Sequence, residues 1–170
     1  MNNAYANIDY VISVYTPISG IASYKNESGS VDEDDSSITA NEVSYLFKVN
    51  YHIIESFSMG IESGRFSYNG TFSADTNFTN SYKTDESLGL VFNYINDKHT
   101  FSLIIANTKL SSGTKYYDNN IIDGLVEYTF KFKENSAVNL RYMNVEGWSN
   151  ETDEIHVQNS ILFLGFSFYL

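Results

Sequence analysis

The ten residues Ile161–Leu170, ILFLGFSFYL, end the chain and alternate in the manner of a β-strand. One face of this strand is entirely apolar and consists of Leu162, Leu164, Phe166, Phe168 and Leu170. A chain end usually frays into water unless another element holds it in place. An end this apolar therefore needs both a strand that pairs with it and a solvent that accepts its outer face.

The same period of two recurs along the whole chain. Residues 42–51 (EVSYLFKVNY), 86–95 (ESLGLVFNYI) and 123–133 (DGLVEYTFKFK) each place apolar side chains on one face and polar or small ones on the other. This alternation is typical of a strand with one apolar face. It predicts eight strands, at residues 5–24, 38–51, 57–68, 82–95, 100–110, 121–132, 137–146 and 155–170.

Short and long polar connections alternate between these strands. The short ones lie at 52–56, 96–99 and 133–136, and the long ones at 25–37, 69–81, 111–120 and 147–154. Such a pattern predicts that sequential strands are antiparallel neighbours, with all short turns at one end of the sheet. We therefore predict an all-β fold, an eight-stranded antiparallel up-and-down transmembrane β-barrel, as a single domain over residues 1–170.

Alternation alone does not decide whether the apolar face points outward to lipid or inward to the core of a soluble protein, but two further patterns favour lipid. Aromatic residues lie beside the short turns, as in the belts at a membrane surface: Tyr51, Phe57, Tyr94, Phe101 and Phe132. The opposite face contains small residues and charges of both signs, which suit a narrow lumen where opposed charges neutralise each other. We predict a lumen charge network of Glu42, Lys48, Glu62, Glu127, Lys131 and Arg141. A soluble barrel whose polar face meets water remains the alternative.

The last strand also resembles the C-terminal signal of Gram-negative outer-membrane barrels. Gly165, Phe168 and Leu170 occupy its glycine, aromatic and terminal apolar positions, while Phe163 stands where a polar residue is usual. The resemblance implies recognition by the barrel-assembly machinery and pairing of the last strand with the first. In strand number and length the chain resembles the small OmpX/Ail type and the OmpA transmembrane domain. That resemblance implies location in the bacterial outer membrane, among its lipids and lipopolysaccharide.

Composition excludes several other functions. The net charge of −11 argues against nucleic acid as a partner, because phosphate contacts need clustered cations. The chain has no cysteine, no apolar run long enough for a membrane helix, and no signal peptide at its start; Met1 is consistent with an initiator added to a mature fragment. We predict no cofactor and no metal.

We predict no catalytic residues. His52 and His99 lie at short turns, and His156 lies four residues from Ser160, about 13 Å along a strand and too far for a catalytic pair.

The long connections contain the residues we expect to make external contacts. Asp32, Glu33, Asp34 and Asp35 form the most charged stretch, and carboxylates are ligands for hard cations. Tyr116, Tyr117 and Trp148 are expected near the outer rim, as interface anchors or ligand contacts. The predicted function is surface contact, adhesion or envelope integrity through these loops, toward a surface or envelope partner that the sequence does not identify. A narrow channel for small or apolar solutes, a lipid-modifying enzyme and a soluble barrel with an apolar ligand remain open.

Overall fold

Every element of the described residues is a β-strand. The computed structural model describes residues 8–26, 37–72, 78–112, 115–118, 122–149 and 155–170. The strands are β1 (Ile8–Asn26), β2 (Ser37–Ala40), β3 (Ser44–Ile54), β4 (Phe57–Phe72), β5 (Phe78–Asn96), β6 (His99–Ser112), β7 (Lys115–Asp118), β8 (Ile122–Lys133), β9 (Ser136–Ser149) and β10 (Ile155–Tyr169). Within these ranges no helix is long and apolar enough to span a membrane.

The strands form one closed antiparallel ring. β1 pairs with β3 on one side and with β10 on the other, so the first and last strands are neighbours. The pairs β3–β4, β4–β5, β5–β6, β6–β8, β8–β9 and β9–β10 complete the circuit. β2 continues the position of β3 in the ring and pairs with β4. β7 shares the position of β8, because each of them pairs with β6 on one side and with β9 on the other. The ten segments therefore occupy eight positions, and the predicted eight-stranded antiparallel barrel is confirmed.

The observed strands differ from the predicted ones mainly at one end of the barrel. The predicted strand 38–51 is interrupted at residues 41–43, which separates β2 from β3, and β4 and β5 extend beyond their predicted ends to Phe72 and Phe78. Polar side chains join the two strands just before these extensions, where Ser81 Oγ donates to Asn69 Oδ1 at 2.7 Å. Backbone pairing thus continues where the apolar alternation, the only strand signal in the sequence, has already stopped.

Three two-residue turns close the opposite end. They are Glu55–Ser56, Asp97–Lys98 and Glu134–Asn135, and we call this end the turn end and the other the loop end. Asp97 has a φ of 53°, a left-handed conformation that aspartate tolerates in tight turns. Short turns at one end and long connections at the other match the arrangement expected of an outer-membrane barrel.

The two faces of each strand follow the sequence pattern. On β3, Tyr45, Phe47 and Val49 are exposed on the outer surface, whereas Leu46 and Lys48 are buried in the lumen. On β10, Phe166 and Phe168 point outward, whereas Phe163 and Ser167 are buried. The rim aromatics Tyr51, Tyr94, Phe101 and Phe132 are exposed beside the turns. The outer surface is therefore apolar where a bilayer would cover it, and the lumen is filled by side chains.

Candidate functional site

Four charged side chains from four strands meet in the middle of the lumen. Lys48 of β3, Glu62 of β4, Glu127 of β8 and Arg141 of β9 are each at most 7% exposed. Arg141 Nη2 donates to Glu62 Oε1 at 2.6 Å, and Arg141 Nη1 lies 3.4 Å from Glu127 Oε2. Lys48 Nζ bonds to Glu127 and lies 3.4 Å from Glu62 Oε2. Two cations and two carboxylates thus neutralise each other, as a buried group of charges requires.

Strand register brings the four residues together. Lys48 pairs with Glu62 between β3 and β4, and Glu127 pairs with Arg141 between β8 and β9. The two pairs lie on different walls of the ring, and their long side chains meet across it. Tyr15 of β1 adds a hydrogen bond from its hydroxyl to Glu127 Oε2 at 2.7 Å. The lumen is bridged in this way by β1, by the β3–β4 hairpin and by the distant β8–β9 hairpin.

The other two charges predicted for this network lie elsewhere. Glu42 lies in the break between β2 and β3, its side chain is 54% exposed, and it pairs with Lys83 Nζ at 2.9 Å. Its assignment to the lumen was wrong because the break interrupts the alternation on which it depended. Lys131 lies at the turn end, where its ammonium group sits 4.3 Å from the centre of the Tyr169 ring. Neither residue contacts the four central charges in the described structure.

An apolar layer fills the lumen between these charges and the loop end. Phe66 packs against Tyr15 and Phe163, with ring centres 5.4 and 5.1 Å apart, and Tyr68 stacks on Tyr82 at 5.6 Å. Aliphatic side chains complete the layer: Leu46, Ile104, Leu110, Leu125, Met143, Val145 and Ile161. This layer was not predicted from the sequence, although its residues alternate with lipid-facing ones. Large apolar residues on the face assigned to the lumen were the signal available for it.

A polar vestibule occupies the lumen at the turn end. Asn93 donates to Asn50 Oδ1 at 3.2 Å and to Ser58 Oγ at 2.9 Å, and it accepts from Ser102 Oγ at 2.7 Å. A cavity of about 100 Å³ opens beside these groups, with Lys48 and Glu127 among its lining residues. This volume holds only a few water molecules. The vestibule is therefore a blind recess whose inner end is closed by the charge cluster.

The histidines form no nucleophile–base pair among the described residues. His52 Nε2 lies 2.8 Å from Asp9 Oδ2, and His99 Nδ1 lies 2.7 Å from the Tyr128 hydroxyl. Ser160 Oγ donates to Asn144 Oδ1 at 3.0 Å. No group of three or more His, Asp or Glu residues in the described part of the chain is placed to hold a metal ion.

The remaining predicted residues divide between the last strand and the loops. Gly165 and Phe168 lie in β10 paired with β1, and Leu170 donates its backbone N–H to Tyr10 O at 2.9 Å. Tyr116 and Tyr117 lie in β7 and Trp148 in β9, where their backbones pair with neighbouring strands. The acidic stretch Asp32, Glu33, Asp34 and Asp35 lies outside the described residues.

The barrel has the fold of small bacterial outer-membrane proteins. It is similar to the outer membrane protein OprG from Pseudomonas aeruginosa, with a TM-score of 0.53 and 9% identity over 97% of each chain. It is also similar to outer membrane protein AlkL, with a TM-score of 0.51 and 14% identity over 100% of this chain and 93% of that one. Neisserial surface protein A gives a TM-score of 0.50 and 13% identity over 95% and 98% of the two chains. No protein-family model and no curated protein matches the sequence.

These likenesses show the fold of a small outer-membrane β-barrel, which confirms the resemblance in strand number and length to such barrels. The predicted outer-membrane location agrees with these neighbours. At such low identities the likeness concerns the fold, and the function has to be argued from this chain's own residues.

Proposed function

We propose that this protein acts at the bacterial surface through its long connections, with the barrel as a closed anchor in the outer membrane. The observation that carries the proposal is the filled lumen. Among the residues that the structure describes, the cluster of Lys48, Glu62, Glu127 and Arg141 and the apolar layer beyond it fill the middle of the lumen, and the blind vestibule opens at the turn end. An eight-stranded barrel has little space for more than its own side chains. Contacts with other molecules therefore fall to the loop end.

The charge distribution supports the same assignment. The four long connections, 25–37, 69–81, 111–120 and 147–154, contain ten acidic residues and two lysines. The three short connections contain three acidic residues and two lysines. Most of the net charge of −11 thus belongs to the loop end, while the central cluster is neutral.

An acidic loop surface suits a cationic partner. Opposite charge accelerates encounter and favours partners of complementary potential. The partner class is a basic protein surface, or a divalent cation that bridges loop carboxylates to lipopolysaccharide phosphates. The stretch Asp32–Asp35 is the segment we expect to dominate such contacts, with Tyr116, Tyr117 and Trp148 near the rim.

A charge-neutralising triple variant tests the proposal. The full chain is folded into neutral phosphatidylcholine nanodiscs, where both ends of the barrel are accessible, and binding of fluorescent octalysine is measured by anisotropy. Glu33→Gln, Asp34→Asn and Asp35→Asn together should weaken binding severalfold at low salt, and added salt should weaken the wild type in the same way. Mg²⁺ competition then reports whether divalent cations occupy the same carboxylates.

The matched control removes three charges from the turn end. Glu55→Gln, Asp97→Asn and Glu134→Gln change the net charge by the same amount and should leave octalysine binding unchanged. An equal loss in both variants would mean that net charge alone attracts the probe. No loss in the loop variant would remove this stretch from the contact surface.

A second candidate function, a route for small apolar solutes, is favoured by a seam in the barrel wall. β1 pairs with β3 only as far as Tyr15, and beyond that point β2 pairs with β4 but not with β1 in the described ladders. The gap is occupied by side chains, because Ile38 packs so closely on Gly20 that an added Cβ would lie 2.8 Å from Ile38 Cγ1. The apolar layer lies behind this contact.

The seam makes a separate prediction for intact cells. Ile38→Ala should increase uptake of the apolar probe N-phenyl-1-naphthylamine across an outer membrane that contains the protein. Val43→Ala, which shortens an exposed outward side chain near the seam, is the control and should not change uptake. Equal uptake in wild type, I38A and cells without the protein would exclude this function.

A further inference from the structure

The apolar belt on the outer surface has different heights on two adjacent strands. β3 ends and β4 begins at the same turn, Glu55–Ser56. On β3, outward apolar residues run from Tyr51 to Tyr45, whereas on β4 they run from Phe57 to Ile61. At about 3.3 Å per residue these runs are about 20 and 13 Å long measured along the strands. A strand tilt of roughly 40° reduces them to about 15 and 10 Å of membrane thickness, against an apolar band of about 25 Å in typical outer-membrane barrels.

Polar residues continue the outward face of β4 where β3 is still apolar. Ser63 pairs with Phe47, and Arg65 pairs with Tyr45. Ser63 is exposed and Arg65 is half-buried on this surface. At the same register level, the outer face of β3 is therefore apolar and that of β4 is polar, so the two strands favour different surroundings.

β6 repeats the short belt of β4. Its outward apolar residues run from Phe101 to Ile105, and the next two outward residues are Asn107 and Lys109, both exposed. On β5, between these strands, the outward apolar run ends at Leu88, which pairs with Asn107. We call the outer surface of β4, β5 and β6 the short wall. Its apolar belt ends two outward positions before Tyr45 of β3 on β4 and β6, and one outward position before it on β5.

A tilt of the whole barrel does not account for this difference. Tilting shifts the belt along a wall but leaves its length unchanged. At the turn end both walls finish in charged turns, at Glu55 and at Asp97–Lys98, which cannot enter hydrocarbon. The charged turns thus fix the edge of the hydrocarbon layer at the turn end. The opposite edge, toward the loop end, therefore has to lie closer to the turn end at the short wall.

We propose that the outer leaflet thins along the short wall, so that lipid headgroups reach the level of Ser63 and Asn107. Bilayers adapt to a short apolar surface by thinning locally, and long cationic side chains near the edge extend toward the headgroups. Arg65 and Lys109 lie one outward position beyond the two polar residues and suit that environment. The proposal rests on the transmembrane placement of the barrel and is independent of what the loops bind.

Spin labels at single cysteines test the proposal directly, because the chain has no cysteine of its own. Labels are placed on the full chain at Ser63 and Asn107 on the short wall and at Phe47 on β3, with Leu103 as the control deep in the belt. The protein is folded into phosphatidylcholine bilayers, and folding of each variant is verified by its heat-dependent mobility shift on SDS gels. Collision rates with oxygen, which concentrates in hydrocarbon, and with a water-soluble nickel chelate give the depth of each label.

The expected result is a difference between register partners. Labels at 63 and 107 should collide mainly with the nickel chelate, and labels at 47 and 103 mainly with oxygen. In the background of Asn107→Leu with Arg65→Leu, which lengthens the apolar belt, the label at 63 should shift toward oxygen. Oxygen-dominated collisions at all four sites in the unmodified background would overturn the proposal, because the bilayer would then cover the polar residues at full thickness. Shielding of sites 63 and 107 from both reagents would also overturn it, since a protein surface such as a second copy would then cover the short wall.

Discussion

Tyr15 and Glu127 are joined across the lumen by a hydrogen bond of 2.7 Å, although 112 residues separate them in the sequence. The bond links β1, one of the two strands at the ring closure, to a carboxylate on the opposite wall. Both residues are almost fully buried. The Tyr15 side chain therefore connects a ring-closing strand to the central charge cluster.

Tyr15→Phe should lower the free energy of unfolding while leaving the ring packing intact. The change removes one donor from a buried carboxylate, and hydrogen bonds to charged groups contribute about 1.5–3 kcal/mol. Urea unfolding in lipid bilayers, followed by the SDS mobility shift, measures the loss. Tyr10→Phe on the same strand is the control, because Tyr10 is 52% exposed on the outer face. Equal effects of the two variants would contradict a specific role for the Glu127 contact.

Arg141→Met should destabilise the barrel more strongly. It leaves Glu62 and Glu127 with only Lys48 to balance them, and breaking a buried charge group by removing one partner costs about 3–5 kcal/mol. Combining Arg141→Met with Glu62→Gln restores the charge balance and should recover part of the loss in the same unfolding assay. Lys131→Met is the comparison, since Lys131 lies outside the cluster over the Tyr169 ring. A double variant as unstable as the sum of its single changes would show that the four charges do not act as a unit.

Gly165→Ala should be destabilising because the Tyr15 ring occupies the space of the added methyl group. A Cβ at Gly165 would overlap Cδ1 and Cε1 of Tyr15. Overpacking of this kind costs about 1–3 kcal/mol. Tyr15→Leu removes the ring, so the two changes together should be clearly less destabilising than their sum in a double-mutant cycle. Simple additivity would mean that the glycine is required for another reason.

Phe168→Ala should impair assembly in cells more than refolding in vitro. The resemblance of the last strand to an assembly signal assigns the aromatic position to Phe168. Phe166→Ala offers a close control, because the two side chains share one face of β10 and are 48% and 51% exposed. Cell fractionation and the SDS mobility shift measure how much folded protein reaches the outer membrane. If both variants assemble equally well, Phe168 has no special role in recognition.

The sequence predicted the ring well because each strand has its own local signal. Alternation fixed which residues of β3 face outward, as Phe47 and Lys48 illustrate, and the polar short connections placed the turns. The fold class and the antiparallel neighbours follow from that information, and the pairing of first and last strands follows from the resemblance of the last strand to those of outer-membrane barrels.

The interior was harder to predict because alternation gives the face of a residue but not its neighbours across the lumen. Glu42 was assigned inward by counting along a strand that in fact breaks at residues 41–43. Lys48 meets Glu127, and Arg141 meets Glu62, only because barrel curvature brings separate walls together. The apolar layer around Phe66 and Phe163 depends on the same three-dimensional arrangement.

The pairing of β1 with β10 also has a kinetic consequence. Ser13 and Ser167 are hydrogen-bonded at 2.6 Å across a sequence separation of 154 residues, so the seam that closes the ring joins two strands that lie far apart in the sequence. Until β10 is delivered, β1 exposes a free edge that could pair with strands of other chains. Contacts of such high sequence separation fold slowly. The unassembled chain therefore presents two unpaired strand edges to other chains for as long as β1 and β10 remain apart.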